Sequence, residues 1–363
     1  MTEAKVYRYG RKLDDFVAGE VYAHPWDVTV DEGMLAVFAA SFLDATPVYA
    51  SRAYAKALGF RDRPVHPLLL LNLGLSFSVH DVSEQAIAHL AYLDVRFPEP
   101  CYAGDTVTAS SKVLGVKPSS KGDKGVVHVR TLLQNDQGRV VCAFERKALI
   151  PAGKVVGRPK EPPYTPSQPE LGEIPRLPPP LRGESFPLPT RQGGFGGFFE
   201  DFEVGDVFAH EVGKTVGESE HMQMTYLVRN SHPLHFDEHY SRESSFAKTR
   251  VVYGGLVLSW VLSLASRDTT GNALWDMGLD QGAHPSGVLG GDTLYAASKV
   301  LAKEDRGSYG VVTFRVVGVK NVRASELLAK GADLFTPELG KKEGAVREKV
   351  VEITRTVAVR KRP

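Results

Sequence analysis

Two kinds of hydrophobic spacing alternate along this chain, and they do so twice. Residues 31–42 and 217–229 carry apolar side chains every third or fourth position, which predicts an amphipathic helix in each half. Residues 67–79 and 255–266 are apolar almost throughout, which predicts a long helix buried on all sides. After each long helix come period-two runs rich in β-branched residues: VTASSKVLGV (107–116), GVVHVRTLLQN (125–135) and RVVCAFERKALI (139–150), then TLYAASKVLA (293–302), YGVVTFRVVGV (309–319) and KVVEITRTVAVR (349–360). A buried helix followed by a meander of antiparallel strands lets the sheet cover one face by wrapping the helix. The predicted class is α+β.

The halves also repeat residue by residue. Leu13–Tyr22 matches Phe199–Phe208 at an offset of 186, and the register holds through Thr29/Thr215 and Glu32/Glu218 to DATPVY (44–49) against NSHPLH (230–235). A shift of two aligns Pro64–Leu68 with Val252–Leu256. Gly104–Val107 and Ser111–Leu114 then match Gly291–Leu294 and Ser298–Leu301 at an offset of 187. Four blocks in one order point to a duplication within one chain. Between the copies, 12 of the 23 prolines fall from Pro151 to Pro189; proline fixes φ and removes an amide donor, so an extended connector without a sheet or helix of its own is expected there. The expected organisation is an N-terminal domain over 1–152, a linker over 153–194 and a C-terminal domain over 195–363.

Composition narrows the function classes. A length of 363 residues suits two full cores, and a net charge of +1 with 24% charged residues gives no basic surface for nucleic acid. Cys101 and Cys142 sit far apart among apolar neighbours, which suggests neither a disulfide framework nor a metal cluster. The amino terminus lacks the apolar core of a signal peptide, and the longest apolar stretch, Val251–Ala265, is too short to span a bilayer. A cytoplasmic protein without membrane contact is expected.

Arg229-Asn230-Ser231-His232-Pro233-Leu234-His235, Val251-Val252-Tyr253-Gly254-Gly255 and Gly291-Asp292-Thr293-Leu294 resemble the three signature segments of the MaoC-like hydratases. Phe198–Phe202, Glu220–Gln223 and Tyr295-Ala296 extend the resemblance to the mesaconyl-CoA hydratases (β-methylmalyl-CoA dehydratases) within that family. The resemblance implies a double hot dog, in which each of two curved antiparallel sheets wraps a central helix. It also implies reversible hydration of an α,β-unsaturated coenzyme A thioester.

That chemistry needs a group that takes a proton from water and a donor for the charge that gathers on the thioester oxygen. Gly254 and Gly255 open the long helix, where amides point outward and no side chain blocks a carbonyl, so they are the expected oxyanion donors; tight helix packing is the alternative reading. His235 is the expected proton shuttle. Asn230 stands where the family generally has Asp, and an amide accepts no proton at neutral pH, so a simple Asp/His dyad is excluded; His232 and a carboxylate of the substrate are both open as the second water-handling group. In the first half Asp44 is retained, Tyr49 replaces the histidine and Pro67 removes an amide, so this half-site is expected to shape the acyl pocket or hold part of coenzyme A. Arg229 and Arg250, with Tyr253, are the expected contacts for a substrate carboxylate or phosphate.

No cofactor or metal is called for, since coenzyme A belongs to the substrate, and a homo-oligomer paired through sheet edges is one expected form. Thioester hydrolysis and acyl-CoA binding without turnover are the competing functions. Residues 324–345, absent from the first half, are expected to form a surface loop or a lid.

Overall fold

The computed structural model describes every residue except 1–3, 160–164, 184, 195 and 339–343. Parts of the expected linker and of the 324–345 insertion thus lie outside the described residues. Ten strands form one antiparallel sheet: β1 (Val21–Thr29), β2 (Ala88–Arg96), β3 (Thr106–Pro118), β4 (Lys124–Asn135), β5 (Val140–Pro151), β6 (Val207–Thr215), β7 (Ala273–Ala283), β8 (Thr293–Asp305), β9 (Tyr309–Lys320) and β10 (Lys349–Arg360). Their order, β1-β3-β4-β5-β2-β7-β10-β9-β8-β6, reads as one five-strand pattern followed by its mirror. The joint is short: β2 pairs with β7 at Tyr92/Gly282 and Val95/Leu279.

The helices are α1 (Glu32–Phe42), α2 (Pro47–Ala50), α3 (Arg52–Ala57), α4 (Pro67–Phe77), α5 (Glu218–Leu227), α6 (Glu238–Ser244), α7 (Gly254–Thr269) and α8 (Ala324–Ala329). The sequence places α1, α4, α5 and α7 within a few residues of their ends. Asp31 caps α1 by accepting from the Met34 amide. The buried helices α4 and α7 pack against each other beneath the sheet, where Asn72 Nδ2 donates to Ser259 Oγ over 2.9 Å. Asn72 also donates to the Leu68 carbonyl and Ser259 to that of Gly255, each four residues back. These two residues lie 187 apart and mark the pseudo-twofold axis.

Strands β2 and β7 were not expected from the sequence. Bulges interrupt the alternation in both, Asp94 takes a positive φ, and Gly278 breaks the apolar run, so neither shows a clean period of two. The proline-rich connector lies along the outside of the first sheet half, with Leu171 and Ile174 on Leu132 and Ala143. Among its described residues the only regular pieces are short 3-10 turns at Leu171–Glu173 and Pro179–Leu181. Leu327 and Leu334 of the insertion cover Ala297, Val317 and Val319 on the outside of the second half. The described part of the insertion is therefore a cover for the sheet and not a lid on the site described below.

Gly278 sits at the joint with φ +153°, and a Cβ there would meet the Val95 carbonyl oxygen at 2.2 Å. The Val95 backbone cannot rotate away, although the Arg176 side chain on the other side can. Gly278→Ala should destabilise the chain by about 2–4 kcal/mol in chemical denaturation. Gly172→Ala, with open space around it, should fall within about 0.5 kcal/mol of the parent.

Candidate active site

The largest concentration of imidazoles lies in a cavity of about 160 Å³ between the two halves. One wall is the segment Asn230–His235 with the start of α7; the other is the turn after α4 together with β2 and β5. The segment is shaped locally. Arg229 leaves α5 in the left-handed region, at φ +62°. Asn230 is buried, its amide donates to the Thr225 carbonyl, and its side-chain Oδ1 accepts from the His232 amide at 3.0 Å. This turn commits the Asn230 carbonyl oxygen and leaves its NH2 group as a donor.

Hydrogen-bond partners fix the histidine tautomers. His235 Nδ1 lies 2.7 Å from the Val251 carbonyl, which can only accept, so Nδ1 carries the proton and Nε2 presents a lone pair. His232 is the reverse case: its Nδ1 accepts from the Leu234 amide at 3.2 Å, leaving the proton on Nε2, which donates to the Glu84 carbonyl. Both nitrogens of His232 are thus engaged. Ser231 Oγ donates to the Glu84 carboxylate over 3.1 Å, so the turn after α4 holds the segment at two points. His284 donates from Nδ1 to the Val350 carbonyl and accepts at Nε2 from the Tyr92 hydroxyl, 3.0 Å away.

Burial sets the electrostatics. It pushes His235 down to about 3, with His232 adding to the effect and the Val251 carbonyl opposing it. His232 and His284 are brought down to about 4 by burial, and His89 goes well below its ordinary value from burial with Arg146 alongside. Burial also raises the Tyr253 hydroxyl to about 12. At neutral pH every one of these groups is uncharged.

At the start of α7 the amides of Gly254 and Gly255 receive no side-chain cap. The glycines are also required sterically. A Cβ on Gly254 would meet His284 Nε2 at 2.9 Å, and one on Gly255 would meet Asn72 Oδ1 at 2.2 Å. Both readings of the pair therefore have physical support: neither amide has a side-chain cap, and both glycines permit close packing, with Gly254 lining the cavity and Gly255 buried against Asn72.

Tyr253 lines the cavity, and its ring centroid is 5.4 Å from that of His235. Arg229 and Arg250 do not line it. Arg229 is exposed, and Arg250 is engaged with Glu218 at 3.1 Å and Glu238 at 3.4 Å. His89, Tyr92, Arg146 and His284 are among the lining residues that the sequence did not bring out. Arg146 had a visible signal, since it occupies the inward phase of β5 with Cys142, Phe144, Ala148 and Ile150, where only apolar residues are expected.

Asp44 and Tyr49 lie apart from this cavity, in a smaller one of about 50 Å³ in the other half. His66 occupies the N-cap position of α4, as Tyr253 does that of α7, so the helix starts align at an offset of 187 and not 188 as the sequence alone suggested. A histidine is therefore present in this half-site, with His66 Nε2 3.6 Å from the Asp44 carboxylate. Its Nδ1 takes the Leu68 amide, and Pro67 has none, so no amide of the first two helical residues is free.

A single ten-stranded sheet with two buried central helices packed on each other and a pocket at the start of one of them defines a double hot dog of the MaoC-like type. A solved structure described as a putative MaoC domain protein dehydratase from Chloroflexus aurantiacus superimposes with a TM-score of 0.82 and 26% identity over 100% of both chains. A Mycobacterium tuberculosis protein described as a double hotdog fold shares the architecture at a TM-score of 0.67 and 19% identity, covering 96% of this chain and 98% of its own. A family model for mesaconyl-CoA hydratase matches residues 1–162. The β-methylmalyl-CoA dehydratase of Chloroflexus aurantiacus is 31% identical over 86% of this chain and 89% of its own length. The mesaconyl-CoA hydratase of Cereibacter sphaeroides is 33% identical over 86% and 90%. The chain belongs to the mesaconyl-CoA hydratase (β-methylmalyl-CoA dehydratase) family.

The depressed imidazoles have a measurable consequence. Unfolded histidines bind protons below about pH 6.5 while the buried ones do not, so the unfolded state gains protons as pH falls. Stability should hold above pH 7 and decline from about 6.5 downward, by roughly 1 kcal/mol per pH unit for each histidine that must charge. Melting curves from pH 5 to 8 test this; a stability maximum near pH 5 would contradict the assigned neutral states.

Proposed function

We propose that this protein adds water reversibly across the double bond of an α,β-unsaturated coenzyme A thioester, with mesaconyl-CoA and β-methylmalyl-CoA as the substrate pair. The observation that carries the reading is that His235, its Nδ1 proton committed to the Val251 carbonyl, lines the same pocket as the uncapped start of α7. The names of the two relatives above supply the acyl group.

In this reading the thioester oxygen accepts from the Gly254 and Gly255 amides, which stabilise negative charge as it develops there. The Asn230 NH2 group holds a water by its oxygen, and His235 Nε2 accepts one of its protons as the oxygen bonds to the β-carbon. The imidazolium then returns that proton to the α-carbon as the enolate collapses. The sum is one water gained. Dehydration runs the same steps backward. His232, bound at both nitrogens, is a positioning residue that sets the angle of the segment. No electrons are exchanged, so the proposal calls on no cofactor beyond the coenzyme A of the substrate.

The contrast between the pockets supports the C-terminal one as the working site. In the first half, Pro67 and His66 leave no oxyanion donor at the helix start. A cytoplasmic setting accords with two buried, unpaired thiols, Cys101 and Cys142. Among the described residues, no helix is long and apolar enough to cross a membrane.

Absorbance of the conjugated enoyl thioester should fall when the protein meets mesaconyl-CoA, with no free thiol released. His235→Ala should lower kcat by roughly 10²–10⁴-fold while the melting temperature changes little. Thiol release at a comparable rate would make the protein a thioesterase, and binding without turnover would remove the enzymatic reading.

A further inference from the structure

The duplication provides an internal comparison at the level of single residues. Lys112/Arg130 pair between β3 and β4 as Lys299/Arg315 pair between β8 and β9, and the next ladder step makes Arg146 of β5 the counterpart of Arg355 of β10. Each arginine crosses to the other half's pocket. Arg355 lies near Asp44 and Tyr49, and Arg146 lines the cavity with Asn230 and Tyr253. The neighbouring strands match as well: Tyr92 and His89 pair with Arg146 and Ala148, as Leu279 and Asp276 pair with Arg355 and Val357. His89 is therefore the counterpart of Asp276.

The two arginines have opposite electrostatic settings. Arg355 is 1% exposed and forms a two-pronged ion pair with Asp276, at 2.6 and 3.0 Å, with Asp44 a second anion nearby. Arg146 is 3% exposed and bonds only to neutral groups, the Ser83 hydroxyl at 3.1 Å and the hydroxyl and carbonyl of Ser78 at 2.8 and 3.4 Å. Its Nε has no partner. Both carboxylates beside Arg355 have been exchanged at the equivalent places, Asp276 for the neutral His89 and Asp44 for Asn230. Among the described residues no carboxylate pairs with Arg146. A buried cation without an anion is costly, and it is retained in the pocket that holds His235.

We propose that Arg146 is the anchor for a carboxylate carried by the acyl group, and that the absence of an acid at His89 and Asn230 keeps this guanidinium free for it. The inference rests on the hydratase reading of the same pocket and names the substrate feature that the pocket selects. A carboxylate entering between Arg146 and Tyr253 supplies the counter-ion that Asp276 supplies to Arg355, and the guanidinium fork offers it paired donors. A neutral enoyl group of similar size would leave the cation unpaired. Specificity then comes as much from rejecting neutral chains as from holding charged ones.

The test uses the full-length protein with mesaconyl-CoA and the neutral crotonyl-CoA, reading kcat/KM for both and binding of both by calorimetry. Arg146→Gln should lower the ratio of kcat/KM for mesaconyl-CoA over crotonyl-CoA by about a hundredfold, chiefly through KM. His89→Asp restores the acid found beside Arg355, should fold stably, and should lower the same ratio. An unchanged ratio in both variants would overturn the proposal. If the parent turns over neither thioester, calorimetry decides separately. Tighter binding of mesaconyl-CoA that vanishes in Arg146→Gln keeps the anchor and removes the hydratase reading, whereas equal binding of both thioesters by parent and variant removes the anchor.

Discussion

The seam between β2 and β7 is the constraint on which the rest of this structure depends. It is only a few residues long, yet it converts two five-stranded sheets into one and leaves β1 and β6 as the outer edges. Beneath it the Asn72–Ser259 contact holds α4 and α7 at a fixed spacing. Because the strands next to the seam are β5 and β10, their inward arginines reach across it. The larger cavity therefore spans both halves, and the catalytic candidates of the second half are walled there by strands of the first.

Apart from Arg146, the titratable groups that line the pocket are held neutral by burial. Neutral histidines there are unprotonated and able to accept protons, and fixed amides at a helix end need no reorganisation as charge develops. His235 and His232 show how much the backbone decides: one donates to a carbonyl, the other accepts from an amide, and so adjacent imidazoles of the same type hold their protons on opposite nitrogens. One is left with a usable lone pair and the other is locked.

Much of this was legible in the sequence. The four repeated blocks identified the duplication, the apolar periods located α1, α4, α5 and α7, and the family motif brought out Asn230, His235 and Gly254. Strands β2 and β7 were not legible because their bulges break the alternation that identifies a strand. The helix-start alignment was off by one residue, since glycine and proline at those positions give no packing signal to fix a register; His66 consequently went unpaired with Asp44. Arg146 and Arg355 were missed for a different reason. Each interrupts an otherwise apolar inward phase, a sign that can be read from sequence, but which pocket each enters depends on the seam.

Joining the two copies in one polypeptide has an evolutionary consequence. In a dimer of identical single hot dogs, any substitution appears in both pockets at once, so a change that frees a binding group in one also removes an ion pair from the other. A fused gene escapes this coupling. One copy can keep Asp276 on Arg355 as a structural bond, while the other exchanges the acid for His89 and accepts a local loss of stability. The pseudosymmetry of the fold thus supplies a scaffold on which stability and selectivity have been assigned to different inherited positions.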